Sequence, residues 1–193
     1  MKRPVVVILM GSKADEAHCG KIVRAARSFG LDVETRIGSA HKTPAHVMGL
    51  LDAFGTDGRP KVYITVAGRS NALSGFTDGY VDAPVIACPP ESAAFGGADL
   101  YSSLRMPSGI APAVVLDPAN AALLAAKILA LADPGVAAAV ARFRAENARR
   151  ILEDDALTTA SSPVADVGEA AARAGDGAAP AKDPGDGISG AGA

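Results

Sequence analysis

The sequence predicts a three-layer α/β/α domain on a mostly parallel sheet, and three observations carry that reading. Val5-Val6-Val7-Ile8-Leu9-Met10 is continuously apolar and rich in β-branched residues, the pattern of a strand covered on both faces. It runs straight into Gly11-Ser12 and then a segment of helical periodicity. The same strand, turn and helix order recurs along the chain, and parallel neighbours need such crossover helices.

The first helix follows Asp15, which reads as its N-cap; Ala17, Ile22, Val23, Ala26 and Phe29 recur at helical spacing and Gly30 is placed to end it. Leu31, Val33, Thr35 and Ile37 alternate as a second strand. Thr43-Pro44 then supplies a cap and a first-turn proline for a helix whose apolar stripe is Val47, Met48, Leu51 and Phe54. Residues 62–67 read as a third strand, 84–88 as a fourth and 113–116 as a shorter fifth. Pro118 opens an alanine- and leucine-rich helix to about residue 131, and a second helix follows Pro134-Gly135 from about 136 to 153. Beyond it the chain turns to Ala, Gly, Pro, Asp and Ser with no aromatic residue and no period. The expectation is one domain over residues 1–156, with C-terminal helices, and a disordered low-complexity tail over 157–193.

Composition narrows the function classes. A chain of 193 residues with 49% hydrophobic and 21% charged residues suits one soluble globular domain. The formal net charge of -2 offers no basic field for nucleic acid. Cys19 and Cys88 are too few for a disulfide framework, which fits a reducing cytoplasm. The apolar run at the N-terminus stops at Gly11, short of a signal peptide's pattern, and no stretch reaches the roughly 18 apolar residues of a membrane span.

Parallel sheets bind ligands beyond the carboxyl ends of their strands, so the loops there are the places to search. Residues 11–15 offer a hydroxyl, a lysine and backbone amides near a helix start, an anion-attracting arrangement that equally suits an ordinary capped turn. They match neither the dinucleotide fingerprint nor a Walker A loop. Ser39-Ala40-His41-Lys42 places a hydroxyl, an imidazole and a cation within four residues. The imidazole titrates at about 6.5 when unperturbed, which suits proton exchange near neutrality. His18 and His46 fall on predicted helices without ligand-spaced partners, so no metal site is expected. Gly68-Arg69-Ser70-Asn71-Ala72-Leu73-Ser74-Gly75 adds a planar cation and small polar groups fit for a carboxylate or sugar hydroxyls, or else a helix start capped by Ser70 or Asn71. Cys88, before Pro89-Pro90, reads as a buried small hydrophobe.

In combination these loops resemble the phosphoribosylaminoimidazole carboxylase family. The resemblance runs from residue 4 to about 153 through Gly11-Ser12-x-x-Asp15, Ser39-Ala40-His41-Lys42-Thr43-Pro44, Ala67-Gly68, Pro84-Val85-Ile86-Ala87-Cys88-Pro89-Pro90, Ser103-Leu104-Arg105-Met106-Pro107-Ser108-Gly109 and Asn120-Ala121-Ala122-Leu123-Leu124-Ala125. Two activities share that fold: a mutase that moves a carboxyl group from the substrate's exocyclic nitrogen to ring carbon C4, and a carboxylase that takes free CO2. Mutases typically carry Ala-Gly-Gly-Ala-Ala-His-Leu-Pro-Gly in the third loop and arginine after the histidine of the second. Here Ala72 occupies the mutase histidine position and Lys42 replaces the arginine, so the chain looks like the CO2-using class (class II). Animal members of that class are fused to a ligase domain, for which the chain has no room after residue 157.

The resemblance implies His41 as catalytic acid/base, and Ser12 and Asp15 as ligands of the ribose phosphate. Ser39 and Lys42 would help to bind the phosphate or the nascent carboxylate. From chemistry and loop position, Gly68, Arg69, Ser70 and Asn71 join them around the substrate, and Ala72, Ser103, Leu104, Arg105 and Met106 are candidates for a partly dry CO2 pocket. The substrates implied are aminoimidazole ribonucleotide and CO2, with no cofactor, nucleic acid or membrane. A homo-octamer is also implied, and the alanine-rich C-terminal helices offer low-bulk surfaces for packing between subunits. The alternatives are the mutase and a non-catalytic nucleotide-binding module of flavodoxin-like fold.

Overall fold

The computed structural model describes residues 2–92 and 94–161. Five parallel strands, β1 (Val5–Met10), β2 (Asp32–Ile37), β3 (Lys61–Val66), β4 (Val85–Ala87) and β5 (Ala113–Val114), form one sheet in the order β2-β1-β3-β4-β5. Val5 pairs with Asp32 on one side and Lys61 on the other, and this in-step pairing continues to Met10 against Ile37 and Val66. Among the described residues six α-helices accompany the strands: α1 (Glu16–Ser28), α2 (Pro44–Gly55), α3 (Ala72–Asp78), α4 (Tyr101–Leu104), α5 (Pro118–Leu129) and α6 (Pro134–Ser161).

Strand side chains alternate between faces, so an all-apolar strand must be covered twice. Val6, Ile8 and Met10 of β1 and Val62, Ile64 and Val66 of β3 enter one core with Ile22 and Ala26 of α1 and the alanines of α5. Val5, Val7, Leu9 and Tyr63 enter the other with Val47 and Leu51 of α2 and Leu73 of α3. All six residues of β1 are buried, which explains the unbroken apolar run.

Several expectations are corrected. Met48 was placed on the apolar stripe of α2, but only Val47 and Leu51 are buried there. The fifth strand shortens to two residues, and the chain bends at Asp117, which caps α5 by accepting from Asn120 N–H at 2.8 Å. In α5, Ala121, Ala122, Ala125 and Ala126 are all fully buried within the chain, where α5 packs on α1.

Residues Met1–Asn147 form one compact unit and Ala148–Ala193 another. Of the second, residues 148–160 are exposed and helical, with Arg149 and Glu153 paired one turn apart at 2.9 Å. Helix continues to Ser161, covering residues 157–161 that sequence had assigned to the tail. Ala156, Leu157 and Ala160 are helix-compatible, so the helix runs on through them. The remainder of that tail lies outside the described residues. No helix among the described residues is long and apolar enough to cross a membrane.

The burial of the α5 alanines sets a test. Ala122→Leu must overpack the α1–α5 contact, so urea denaturation is expected to register a loss of about 1–3 kcal/mol. A loss below about 0.5 kcal/mol, the usual range for an exposed position, would contradict the packing.

Candidate active site

The chain leaves β1 through α1 to reach β2 on one side, then returns through α2 on the opposite face to β3 on the other side of β1. The loops after β1 and β3 therefore part, and crevices at such switch points are where parallel sheets bind ligands. A cavity of about 390 Å³ opens there. Its lining brings together Ser12 and Asp15 from the first loop, Ser39, His41 and Lys42 from the second, and Gly68, Arg69 and Ser70 from the third.

Local hydrogen bonds shape each loop. After β1, the Ser12 N–H and hydroxyl both donate to Asp15 Oδ2, at 3.1 and 3.2 Å. Asp15 thus braces the loop and does not cap α1 through its side chain, as sequence had it. After β2, Ser39 N–H donates to Thr43 Oγ1 at 3.0 Å, Thr43 N–H donates to the Ser39 carbonyl at 2.9 Å, and Lys42 N–H donates to Ser39 Oγ at 3.2 Å. Thr43 closes this turn and leaves the start of α2 to Pro44. The turn offers His41 and Lys42, both exposed, to the cavity. Gly38 permits it: a Cβ there would lie 2.7 Å from Val47 Cγ2, inside the core.

The third loop carries Arg69 at φ +60°, the only residue other than glycine with positive φ among those described. A side chain in this region is strained, and such strain persists only where its surroundings enforce it. Asn71 does not face the cavity: it is buried, its Oδ1 accepts from Ser74 N–H at 3.3 Å to cap α3, and its Nδ2 donates to Ser103 Oγ at 2.8 Å. Both ends of its amide thus have partners within the chain.

The five expected CO2-pocket residues also lie outside the His41 cavity. Ser103 is buried against Asn71, Leu104 and Arg105 are exposed, and Ala72 and Met106 line a separate cavity of about 300 Å³ with Ser70. Asn71 and Ser103 bond each other in the interior, which holds both back from the crevice. Sequence reasoning missed instead a second chamber of about 340 Å³, lined by Pro89, Pro90, Asp99, Leu100 and Leu116, which shares Ala67 and Gly68 as a wall with the His41 cavity. The rigid Pro89-Pro90 pair was its one signal in the sequence.

Both thiols are pushed up to about 12, chiefly by burial, so neither Cys19 nor Cys88 is a nucleophile at neutral pH. Cys88 Sγ lies 3.4 Å from His18 Nε2 and 3.6 Å from the Leu116 carbonyl, joining α1, β4 and the end of β5. Desolvation first, and Lys21 second, lower the His18 pKa against smaller opposing effects of Cys88, Asp15 and Asp117. Among the described residues no cluster of His, Cys, Asp or Glu is placed to hold a metal ion.

Lys42 and Arg69 against the single carboxylate of Asp15 leave the cavity electropositive, with the hydroxyls of Ser12, Ser39 and Ser70 around them. Such a set suits a phosphorylated sugar, with an imidazole beside it for proton transfer. The sequence profile of the AIR carboxylase family matches residues 5–150. The chain belongs to the AIR carboxylase family. It is 57% identical over 153 residues to a phosphoribosylaminoimidazole carboxylase of Treponema denticola, covering 79% of this chain and 96% of that one. A phosphoribosylaminoimidazole carboxylase of Archaeoglobus fulgidus is 50% identical over 149 residues, covering 77% and 82% of the two chains. The crystal structure of Treponema denticola PurE superposes with a TM-score of 0.79 at 56% identity, covering 80% of this chain and 98% of that one. The chain is thus an enzyme of the AIR carboxylase family with the parallel five-stranded fold of PurE.

Two outcomes check this geometry. At φ +60°, Arg69→Gly should be more stable than Arg69→Ala by about 1 kcal/mol in denaturant titrations, because only alanine keeps the strain; equal stabilities would mean the backbone is not held there. For His18, a lowered folded pKa means the neutral form is favoured by folding. Its contribution is complete above about pH 6.5 and is lost as pH falls through the folded value. His18→Asn should therefore lose less thermal stability than the parent between about pH 7 and pH 5. Identical losses would assign that pH dependence elsewhere.

Proposed function

We propose that the enzyme catalyses the reversible addition of CO2 to C4 of 5-aminoimidazole ribonucleotide, giving 4-carboxy-5-aminoimidazole ribonucleotide in purine biosynthesis. The observation that carries this reading is the meeting of Ser39, His41 and Lys42 with Arg69 and Ser70 across one cavity, while Ala72, at the position of the mutase histidine, faces a different one. The Treponema and Archaeoglobus relatives are both phosphoribosylaminoimidazole carboxylases by name, which favours the carboxylase reading.

In this reading the phosphate and ribose sit among Ser12, Asp15, Ser39 and Lys42. The Ser39 hydroxyl accepts from Lys42 N–H and keeps its own hydrogen for a phosphate oxygen. The substrate's ring lies over the Ala67–Gly68 wall, with CO2 on its Arg69 side in the same cavity. C4 is enamine-like, so its electron pair attacks the CO2 carbon directly and one C–O π pair moves onto oxygen. The new carboxylate is stabilised by the Arg69 and Lys42 cations. His41 then takes the C4 proton, and the C–H electron pair restores the aromatic ring. An electron-rich nucleophile of this kind needs neither ATP nor a metal.

The same reading carries a cytoplasmic homo-octamer. Exposed Tyr101, Leu104 and Leu131 support an assembly that would cover them.

Purified enzyme given aminoimidazole ribonucleotide and bicarbonate without ATP is expected to accumulate the 4-carboxy product. His41→Asn should lower kcat by about 10²–10⁴ while substrate affinity changes little. Absence of turnover, with efficient conversion of the N5-carboxylated nucleotide instead, would establish the mutase reading.

A further inference from the structure

Arg69 reaches the His41 cavity from a loop fixed at both ends. At its start, Cys88 N–H donates to the Thr65 carbonyl and Gly11 N–H to the Val66 carbonyl, each at 2.9 Å, so the end of β3 is held on two sides. Gly68 follows beneath Pro90, whose Cγ would lie 3.5 Å from a Cβ placed there. At the far end Asn71 is buried, with its Nδ2 donating to Ser103 Oγ and its Oδ1 accepting from Ser74 N–H. Between these anchors Arg69 takes φ +60°, a conformation that side chains resist and that its surroundings must enforce.

Ser102, in the first turn of α4, makes the contact that grips this stretch. Its hydroxyl donates to the Asp99 carbonyl at 2.7 Å, while the Arg69 carbonyl lies at 3.4 Å. A hydroxyl has one hydrogen, and the shorter contact takes it. The lone pairs are left for Asn71 N–H, which donates to Ser102 Oγ at 2.9 Å. One side chain thus meets the backbone on both sides of Ser70. It does so from behind the loop: Ser102 lines the cavity of about 300 Å³ with Ser70 and Asn71, and takes no part in the lining of the His41 cavity.

We infer that Ser102 is a positioning residue that holds the Arg69 guanidinium where the new carboxylate forms; this rests on the reading given under Proposed function. Ser102 acts through the backbone of residues 69–71 and touches neither substrate nor product. Without the hydroxyl, Asn71 N–H loses its acceptor and Arg69 is released toward negative φ. Rotation there displaces the tip of a long side chain most, so the guanidinium leaves its place. His41 and Lys42 keep theirs, because their turn is closed separately by Ser39 and Thr43. Charge stabilisation depends on such fixed placement, since a cation that must first reorganise stabilises the transition state less. The defect should be selective. The substrate brings only its phosphate, whereas the 4-carboxy product also brings the carboxylate that Arg69 meets.

The test compares the parent with Ser102→Ala, Arg69→Ala and the double variant for kcat with aminoimidazole ribonucleotide and bicarbonate. Binding of that nucleotide and of its 4-carboxy product is measured with each substitution in a His41→Asn background, where neither is turned over. Ser102→Ala is expected to lower kcat and product affinity about tenfold each and to leave substrate affinity within about twofold. Added to Arg69→Ala, the same substitution should change nothing further. Equal weakening of substrate and product would make Ser102 merely structural and overturn the inference. So would unchanged kcat and product affinity, or a full additional loss on top of Arg69→Ala. Should Ser102→Ala not fold, Ser102→Cys, with a weak acceptor in place of the hydroxyl, is read by the same criteria. A parent without turnover would overturn the functional reading itself, and the inference with it.

Discussion

The position of β1 constrains everything else. It is bonded along its whole length to β2 on one edge and β3 on the other, and its side chains are buried on both faces. A strand so enclosed cannot slip by one residue without exchanging its two cores. Its end is fixed as well: Gly11 N–H donates to the Val66 carbonyl at 2.9 Å and Gly38 N–H to the Met10 carbonyl at 3.0 Å. Those two bonds locate the start of all three loops that line the His41 cavity.

From there short-range polar contacts take over. The second loop is a closed turn between Ser39 and Thr43, the first is drawn in by Asp15, and the third is held at Asn71 by Ser102 and Ser103. Polar side chains of these loops thus divide into those bonded within the chain, such as Thr43, Asn71 and Ser103, and those that line the cavity, such as His41, Lys42 and Arg69. Binding sites are commonly loops held on a rigid scaffold, and the strain at Arg69 marks where this scaffold holds hardest.

The legible parts of the sequence were those set by local rules. The runs of β1 and β3 and the prolines at 44 and 118 announced their elements because burial on two faces and a first-turn proline act within a few residues. The gathering of His41 with Ser12 and Arg69 followed from parallel topology. The contacts that were not legible span long separations: His18 meets Cys88 across 70 residues, and Asn71 meets Ser103 across 32. Nor did the composition of α5 tell whether its alanines face a neighbouring helix of the same chain or another subunit, since small side chains serve both.

The deciding measurement is the structure of the enzyme with bound aminoimidazole ribonucleotide. Phosphate density is expected between Ser12 and Lys42, with the ring across Ala67 and Gly68 and its C4 edge toward His41. Nucleotide seated instead in the cavity at the opposite end of β3, between Arg59 and Tyr80, would contradict it.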